Sequence, residues 1–225
     1  MRRRGRGHQS CHDGAQLTAR QLDAQKKSVR AKEQDQVLRQ EWRQQIQDVD
    51  LSQLVFLEEC GVHTAIHRRY GRAPRGERSV GVVPRNWKHS TTILGALSPH
   101  GVQAVMSLEG ATDRFAFEAF IEQVLLPTLL PGQVVVMDNL SAHKSAKAQQ
   151  LVEEAGCSWL FLPPYSPDFN PIEMLWRKFK SDLRREAPRS QLHLDELIWP
   201  LLSTATPQHA QNWFKKAGYD LTDSH

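Results

Sequence analysis

Two carboxylates carry the first chemistry that can be read from this sequence, Asp138 and Glu173. Asp138 follows Val134-Val135-Val136-Met137 and precedes Asn139. Four apolar residues, a carboxylate and a turn read as a buried strand that delivers Asp138 to its C-terminal end. In open α/β sheets, ligands bind at that end. Asp-Asn after a strand is also ordinary turn chemistry, so Asp138 alone decides nothing. Glu173 closes the stretch Phe161-Leu162-Pro163-Pro164-Tyr165-Ser166-Pro167-Asp168-Phe169-Asn170-Pro171-Ile172-Glu173. Alone, Asn170 with Glu173 three residues on reads as something close to a capping box. Thirty-four residues separate Asp138 from Glu173, room for one helix and one strand. Neighbouring elements of one sheet would then place both. Carboxylate oxygens are the ligands that hard divalent ions such as Mg²⁺ take.

The elements that must position these residues follow from the pattern around them. Trp159 to Leu162 is an apolar run that reads as a short buried strand, and Pro163 and Pro164 end it because neither can donate to a ladder. Tyr165 to Phe169 is a turn of Ser, Pro and Asp. Asn170 is expected to cap a helix with Pro171 in its first position. Ile172, Leu175, Trp176, Phe179 and Leu183 give that helix a buried stripe. Upstream, Leu54 to Leu57 reads as a buried central strand ending in Glu58-Glu59. Thr91–Leu97 and Val102–Leu108 are two strands around a hairpin loop, Ser98 to Gly101. Thr112 or Asp113 caps a helix whose stripe is Phe117, Phe120, Ile121, Val124 and Leu125. Ala148, Leu151, Val152 and Ala155 form the next helix face, which Gly156 ends. Two more amphipathic helices follow, one with Leu194, Leu197, Ile198, Leu201 and Leu202, the other starting at Thr206-Pro207. The order predicts an α/β fold in which an antiparallel meander of three strands precedes strands that alternate with helices and run parallel.

Composition narrows the class. At 225 residues the chain fits one sizeable domain with some tail, and 40% hydrophobic content with six Trp is enough for a core. A net charge of +4 and a pI near 9.1 permit a nucleic-acid partner without requiring one. Cys11, Cys60 and Cys157 are an odd number with no close pair. They argue against a disulfide framework and against a zinc site. No apolar run reaches the ~18 residues of a membrane span, and the arginine-rich start lacks the apolar region of a signal peptide. A cytoplasmic protein is the plain expectation. Residues 1–25, with Arg2, Arg3, Arg4 and Arg6, read as a disordered basic arm. Lys26 to Gln47 reads as one amphipathic helix, a linker with a thin stripe of Val37, Leu38, Trp42 and Ile46. His63 to Lys88 is the most basic stretch, with seven Lys/Arg against Glu77 alone. Such a surface suits a phosphate backbone; a solvated charged face is the alternative.

Met137-Asp138-Asn139 with Ser141-Ala142-His143, followed by the Pro163–Glu173 motif, resembles the Asp/Asp/Glu (DDE) transposases. More narrowly it resembles the bacterial insertion-sequence branch of the mariner-like group, from about Lys26 to Tyr219. The resemblance implies a ribonuclease-H-like fold: a mixed five-stranded sheet flanked by helices, the first strand central and adjacent to the strand of Asp138. It supplies a third carboxylate, Glu58. Glu58, Asp138 and Glu173 would hold two divalent ions, Mg²⁺ or Mn²⁺, ~3.5–4 Å apart, with Asp138 bridging them. In the family such sites cut DNA at transposon ends, and the freed 3′-hydroxyl attacks target DNA. The implied partners are double-stranded DNA (transposon ends and target) and a second copy of the chain. Arg68, Arg69, Arg72, Arg75, Lys88, His143, Lys144, Arg177 and Lys180 are the candidate DNA contacts, with solvated charges as the plainer reading of each. Asp168 reads as a turn carboxylate and Asn170 as a cap, neither as a ligand.

The division expected is a basic arm (1–25), a helical linker (26–50), a catalytic domain (51–220) and a tail (221–225). A bacterial, nucleoid-associated location goes with it. Two departures from the family matter. The first strand usually ends in Asp-Glu, and here it reads Glu58-Glu59. Too few residues precede the core for the usual N-terminal helix-turn-helix domain, which points to a split reading frame with a separate upstream DNA-binding chain, or to a truncated relic. A degenerate, non-catalytic DNA-binding remnant is therefore the competing reading, with a stand-alone nuclease of the same fold behind it. Glu58 adds one methylene where Mg²⁺ wants near-ideal geometry. The expectation is weak activity with Mg²⁺ and a gain on Glu58→Asp; no gain would show that Glu58 serves as well as Asp.

Overall fold

β1, Leu54–Val62, is the centre of a five-stranded sheet of order β3-β2-β1-β4-β5. β2 is Thr91–Ser98, β3 Gly101–Glu109, β4 Val134–Met137 and β5 Ser158–Phe161. The computed structural model describes residues 31–68, 70–84, 90–138 and 145–220. The basic arm, the tail, the start of the linker helix, Arg69, Lys88, His143 and Lys144 lie outside the described residues. The structure below is that of the compact unit Glu33–His225; of the other unit, Met1–Lys32, only residues 31 and 32 are described. β1, β2 and β3 pair antiparallel, and β4 pairs parallel with both β1 and β5. The expected mixed sheet is present, with β1 and β4 as neighbours.

The sheet separates two cores. Along β1, Leu54, Phe56, Cys60 and Val62 face one side, and Val55 and Leu57 the other. The first side is covered by α1 (Gln36–Gln47), α4 (Ile172–Glu186), α5 (Gln191–Leu202) and α6 (Pro207–Ala217), through residues such as Trp42, Phe179, Ile198 and Phe214. The second is covered by α2 (Arg114–Phe120), the π-turn Ile121–Leu125 that continues it, and α3 (Ala146–Glu154). Every helix start but that of α4 has a side-chain cap. Asp35, Asp113, Ser145, Ser190 and Thr206 accept from backbone amides of their first turns, a device worth ~1 kcal/mol each.

Several boundaries differ from expectation. β1 continues past Glu58 to Val62, because β2 keeps pairing with it out to Val62 and Thr91. Its pairing with β4 stops earlier, at Leu57 and Met137. β5 is displaced by one residue from Trp159–Leu162. In α1, Asp35 fixes the start; Arg39 and Trp42, three residues apart on one face, are buried while Val37 and Leu38 stay exposed. α4 begins at Ile172 with Pro171 as its N-cap and no side-chain cap. Asn170 is used elsewhere.

Candidate carboxylate site

Strand parity places the first two carboxylates. Phe56 lies opposite Val136 and Leu57 opposite Met137 in the parallel ladder. Glu58 and Asp138 each come one residue later, so both turn toward the face of Phe56 and Val136, the face that α4 covers. They sit where the β1–β4 ladder opens. The Leu162 amide donates to the Met137 carbonyl at 2.8 Å, which brings the chain after β5 alongside Asp138. The Pro167–Phe169 turn and Asn170 then lead into α4, whose first turn carries Glu173.

Glu58, Asp138, Asn170 and Glu173 line one cavity of about 390 Å³ together with the run Leu162–Pro167. The Asn170 side-chain amide donates to Glu58 Oε2 at 2.6 Å, and Asn170 is 2% exposed. Its Oδ1 is buried in the same place without a hydrogen-bond partner among the described residues. Tyr165, on the rim, holds a left-handed backbone (φ 56°) without being glycine. That conformation costs roughly 1–2 kcal/mol. Gln34 steadies it by donating from Nε2 to the Tyr165 carbonyl at 3.0 Å. Among the described residues, no three His, Cys, Asp or Glu side chains are gathered into a metal-holding cluster. Like charges in one cavity repel, so carboxylates that share a cation are expected to draw together only around it.

Cys60, two residues past Glu58 on the same face, reports on the neighbourhood. Burial pushes its thiol up to about 11; the Lys180 ammonium beside it pulls the other way, and the Glu173 and Glu58 carboxylates add to the rise. Glu173, Arg177 and Lys180 recur at i, i+4 and i+7 on α4, one face of that helix. Arg177 is exposed and Lys180 half-buried. Arg68 donates to the Arg185 carbonyl at 3.3 Å. Arg72 and Arg75 are exposed on the segment between β1 and β2.

Asp168 does not enter the cavity lining. Both its oxygens accept from the Arg39 guanidinium, at 3.0 and 2.7 Å. Hydrogen bonding from Arg39 holds the Asp168 carboxyl below its usual range. Arg39 Cζ also lies 3.9 Å from the centre of the Phe169 ring. The role of Asn170 at Glu58 is not readable from spacing, since 112 residues separate them. A second feature had a signal. Gly95 interrupts an apolar strand pattern, the mark of a close approach. A Cβ there would lie 2.6 Å from the Trp176 ring of α4.

Residues 53–196 match the family model described as DDE superfamily endonuclease. The chain is 26% identical over 117 residues to the transposable element Tcb2 transposase of Caenorhabditis briggsae, a match spanning 49% of this chain and 43% of that protein. To the Tc1 transposase of Caenorhabditis elegans it is 28% identical over 98 residues, spanning 42% and 36%. The match thus spans less than half the length of these relatives. Among solved structures, the Mos1 transposase paired-end complex with left transposon end superposes with a TM-score of 0.67 at 13% identity, covering 90% of this chain and 67% of that one. The Mos1 transposase catalytic domain with Raltegravir and Mn gives 0.56 at 12%, covering 80% and 82%. At such identities the superpositions show a shared fold.

Proposed function

We propose a role for this chain from the premise that it belongs to the DDE superfamily endonucleases, whose family model covers well over half of it. The role is that of a transposase catalytic domain, assigned to residues 51–220, that cuts DNA strands and transfers their ends. One observation carries it: Glu58, Asp138 and Glu173, from two adjacent strands and a helix start, line a single cavity. The donor set is all oxygen, which suits Mg²⁺ and Mn²⁺. The partnerless Asn170 Oδ1 beside it is a further oxygen left for a ligand or water. Glu58, Asp138 and Glu173 would hold the divalent ions. Bound there, such ions would activate a water and stabilise the leaving oxygen of a phosphodiester. Asn170 orients Glu58, and the proline-rich run Leu162–Pro167 narrows the access of bulk water to the carboxylates. The Mos1 complexes with Mn and with Mg support divalent ions in this fold.

The Asn170 contact bears on Glu58 in place of Asp. The extra methylene lets the Glu58 carboxylate reach the amide at 2.6 Å. Shortening the side chain withdraws it, leaving two polar groups of Asn170 unpartnered. Glu58→Asp is therefore expected to lower Mg²⁺-dependent strand cleavage by about tenfold, the low end for loss of a partner that orients a metal ligand. The assay is cleavage of a pre-nicked terminal-repeat duplex, supplied with any DNA-binding partner chain. Robust cleavage by the native sequence supports the catalytic reading. A rise on Glu58→Asp would instead mark the native site as impaired, as the degenerate-remnant reading requires.

DNA has a basic track to follow from the cavity. Arg177 and Lys180 continue the face of Glu173 along α4. At ~1.5 Å rise per residue, Arg185 and its neighbour Arg68 lie about 18 Å from Glu173. These side chains carry no base-reading pattern. Binding of duplex by this chain is expected to be insensitive to sequence and steeply salt-dependent. The double variant Arg177→Ala/Lys180→Ala should flatten the slope of log affinity against log salt by about two. Gel-shift titrations at several salt concentrations, with terminal-repeat and scrambled duplexes, measure both. A strong preference for the terminal repeat would contradict the expectation.

A further inference from the structure

We propose that Arg39 is a positioning residue for the carboxylate site, acting through the loop that presents Asn170 and Glu173. The proposal rests on the reading that Glu58, Asp138 and Glu173 hold divalent ions. Arg39 belongs to α1, outside the sheet and outside the cavity lining. It is nonetheless 7% exposed, and both terminal nitrogens of its guanidinium donate to the site loop. Two parallel hydrogen bonds take both Asp168 oxygens, and the same group lies over the Phe169 ring. A fork on a carboxylate fixes orientation as well as distance, which an ammonium cannot do.

The restraint is transmitted over a short rigid path. Asp168 and Phe169 belong to one turn, Pro167–Phe169, closed by the Phe169 amide donating to the Ser166 carbonyl at 3.0 Å. The Phe169 carbonyl accepts from the buried Tyr219 hydroxyl at 2.7 Å, so the ring and the carbonyl of one residue are held from two sides. Asn170 is next in the chain, and its amide grips Glu58. Glu173 follows one turn later, its own amide donating to the Asn170 carbonyl at 3.3 Å. From Asp168, which Arg39 grips, Asn170, the holder of one expected ligand, is two residues on, and Glu173, another expected ligand, is five.

The test uses the full chain and Mn²⁺ as the probe. Mn²⁺ affinity is measured by electron paramagnetic resonance for the native protein, Asp138→Ala, Arg39→Ala, Arg39→Lys and Asp168→Asn. Deuterium uptake of residues 163–174 is followed in parallel, with α3 as an internal control. Asp168→Asn removes one exposed charge and leaves the core intact, so it keeps the test open if Arg39→Ala folds poorly. Arg39→Ala and Asp168→Asn are each expected to weaken Mn²⁺ about tenfold. Together they should weaken it no further than either alone, because they cut the same link. Arg39→Lys should fall between, and faster uptake should be confined to 163–174. Native Mn²⁺ affinity in Asp168→Asn would overturn the inference while leaving the metal reading intact. Native protein with no Asp138-dependent Mn²⁺ binding would overturn both.

Discussion

Asp138→Ala is expected to abolish divalent-metal-dependent strand cleavage, a loss of a thousandfold or more. The magnitude follows from the share of the work assigned to bound ions. Stabilising a leaving oxygen and generating a nucleophile are worth several kcal/mol, and each ~1.4 kcal/mol is tenfold in rate. In the proposed site Asp138 is the central member, because it leaves the β4 ladder directly beside Glu58 and lines the same cavity as Glu173. Deleting it should not unfold the domain, since it follows a strand whose four residues are themselves buried. The measurement is a time course of cleavage with Mg²⁺ and with Mn²⁺, beside a thermal melt. A variant that melts like the native protein and still cuts within tenfold of it would remove Asp138 from the chemistry and, with it, the proposed site.

The second large effect lies on the far side of β1. Gly95 is paired across the ladder with Glu58. A Cβ at this position would meet Trp176 Cη2 at 2.6 Å and Cζ2 at 2.9 Å. Trp176 is three residues past Glu173 and 3% exposed, so its ring cannot swing into solvent. Gly95→Val must therefore push the start of α4 away from the sheet. Overpacking of this kind costs typically 1–3 kcal/mol, out of the ~5–15 kcal/mol that a domain has in total. The displacement also reaches Glu173, and ~1 Å of misplacement at a reacting centre can cost about a hundredfold. Melting temperature and cleavage rate should fall together. Adding Trp176→Phe, which removes the atoms that clash, should restore part of both. Full native stability and rate in Gly95→Val would show that α4 is not seated through this contact.

Much of the architecture is legible in the sequence because it rests on local pattern. The apolar run Val134–Met137, the prolines after Phe161 and the stripe Ile172–Leu183 each declare their element by periodicity or by a residue that cannot continue it. The placement of Asp138 and Glu173 follows from those elements. What pattern does not reveal is how side chains find partners across the chain. Asn170 has the composition of a cap, and the same amide serves Glu58 instead; only the three-dimensional path decides between them. Asp168 has the composition of a turn residue, which it is, while its pairing with Arg39 spans 129 positions. β1 shows the same limit in a boundary. Its apolar run stops at Leu57, yet the strand goes on to Val62, because pairing with β2 continues where burial on the β4 side has ended.

The Phe169 turn is fastened by contacts of very different reach, 129 residues back to Arg39 and 50 forward to Tyr219. Closing loops of that length has an entropic cost that must be met before the contact gives anything back. Contacts of large sequence separation accordingly form late. The β2–β3 hairpin joins near neighbours and can assemble early, while the turn that presents Asn170 waits for two distant segments to arrive. A chain with its sheet built and its helices in place would still lack an oriented Glu58. In the proposed reading, the geometry that holds the ions is then completed only at the close of folding.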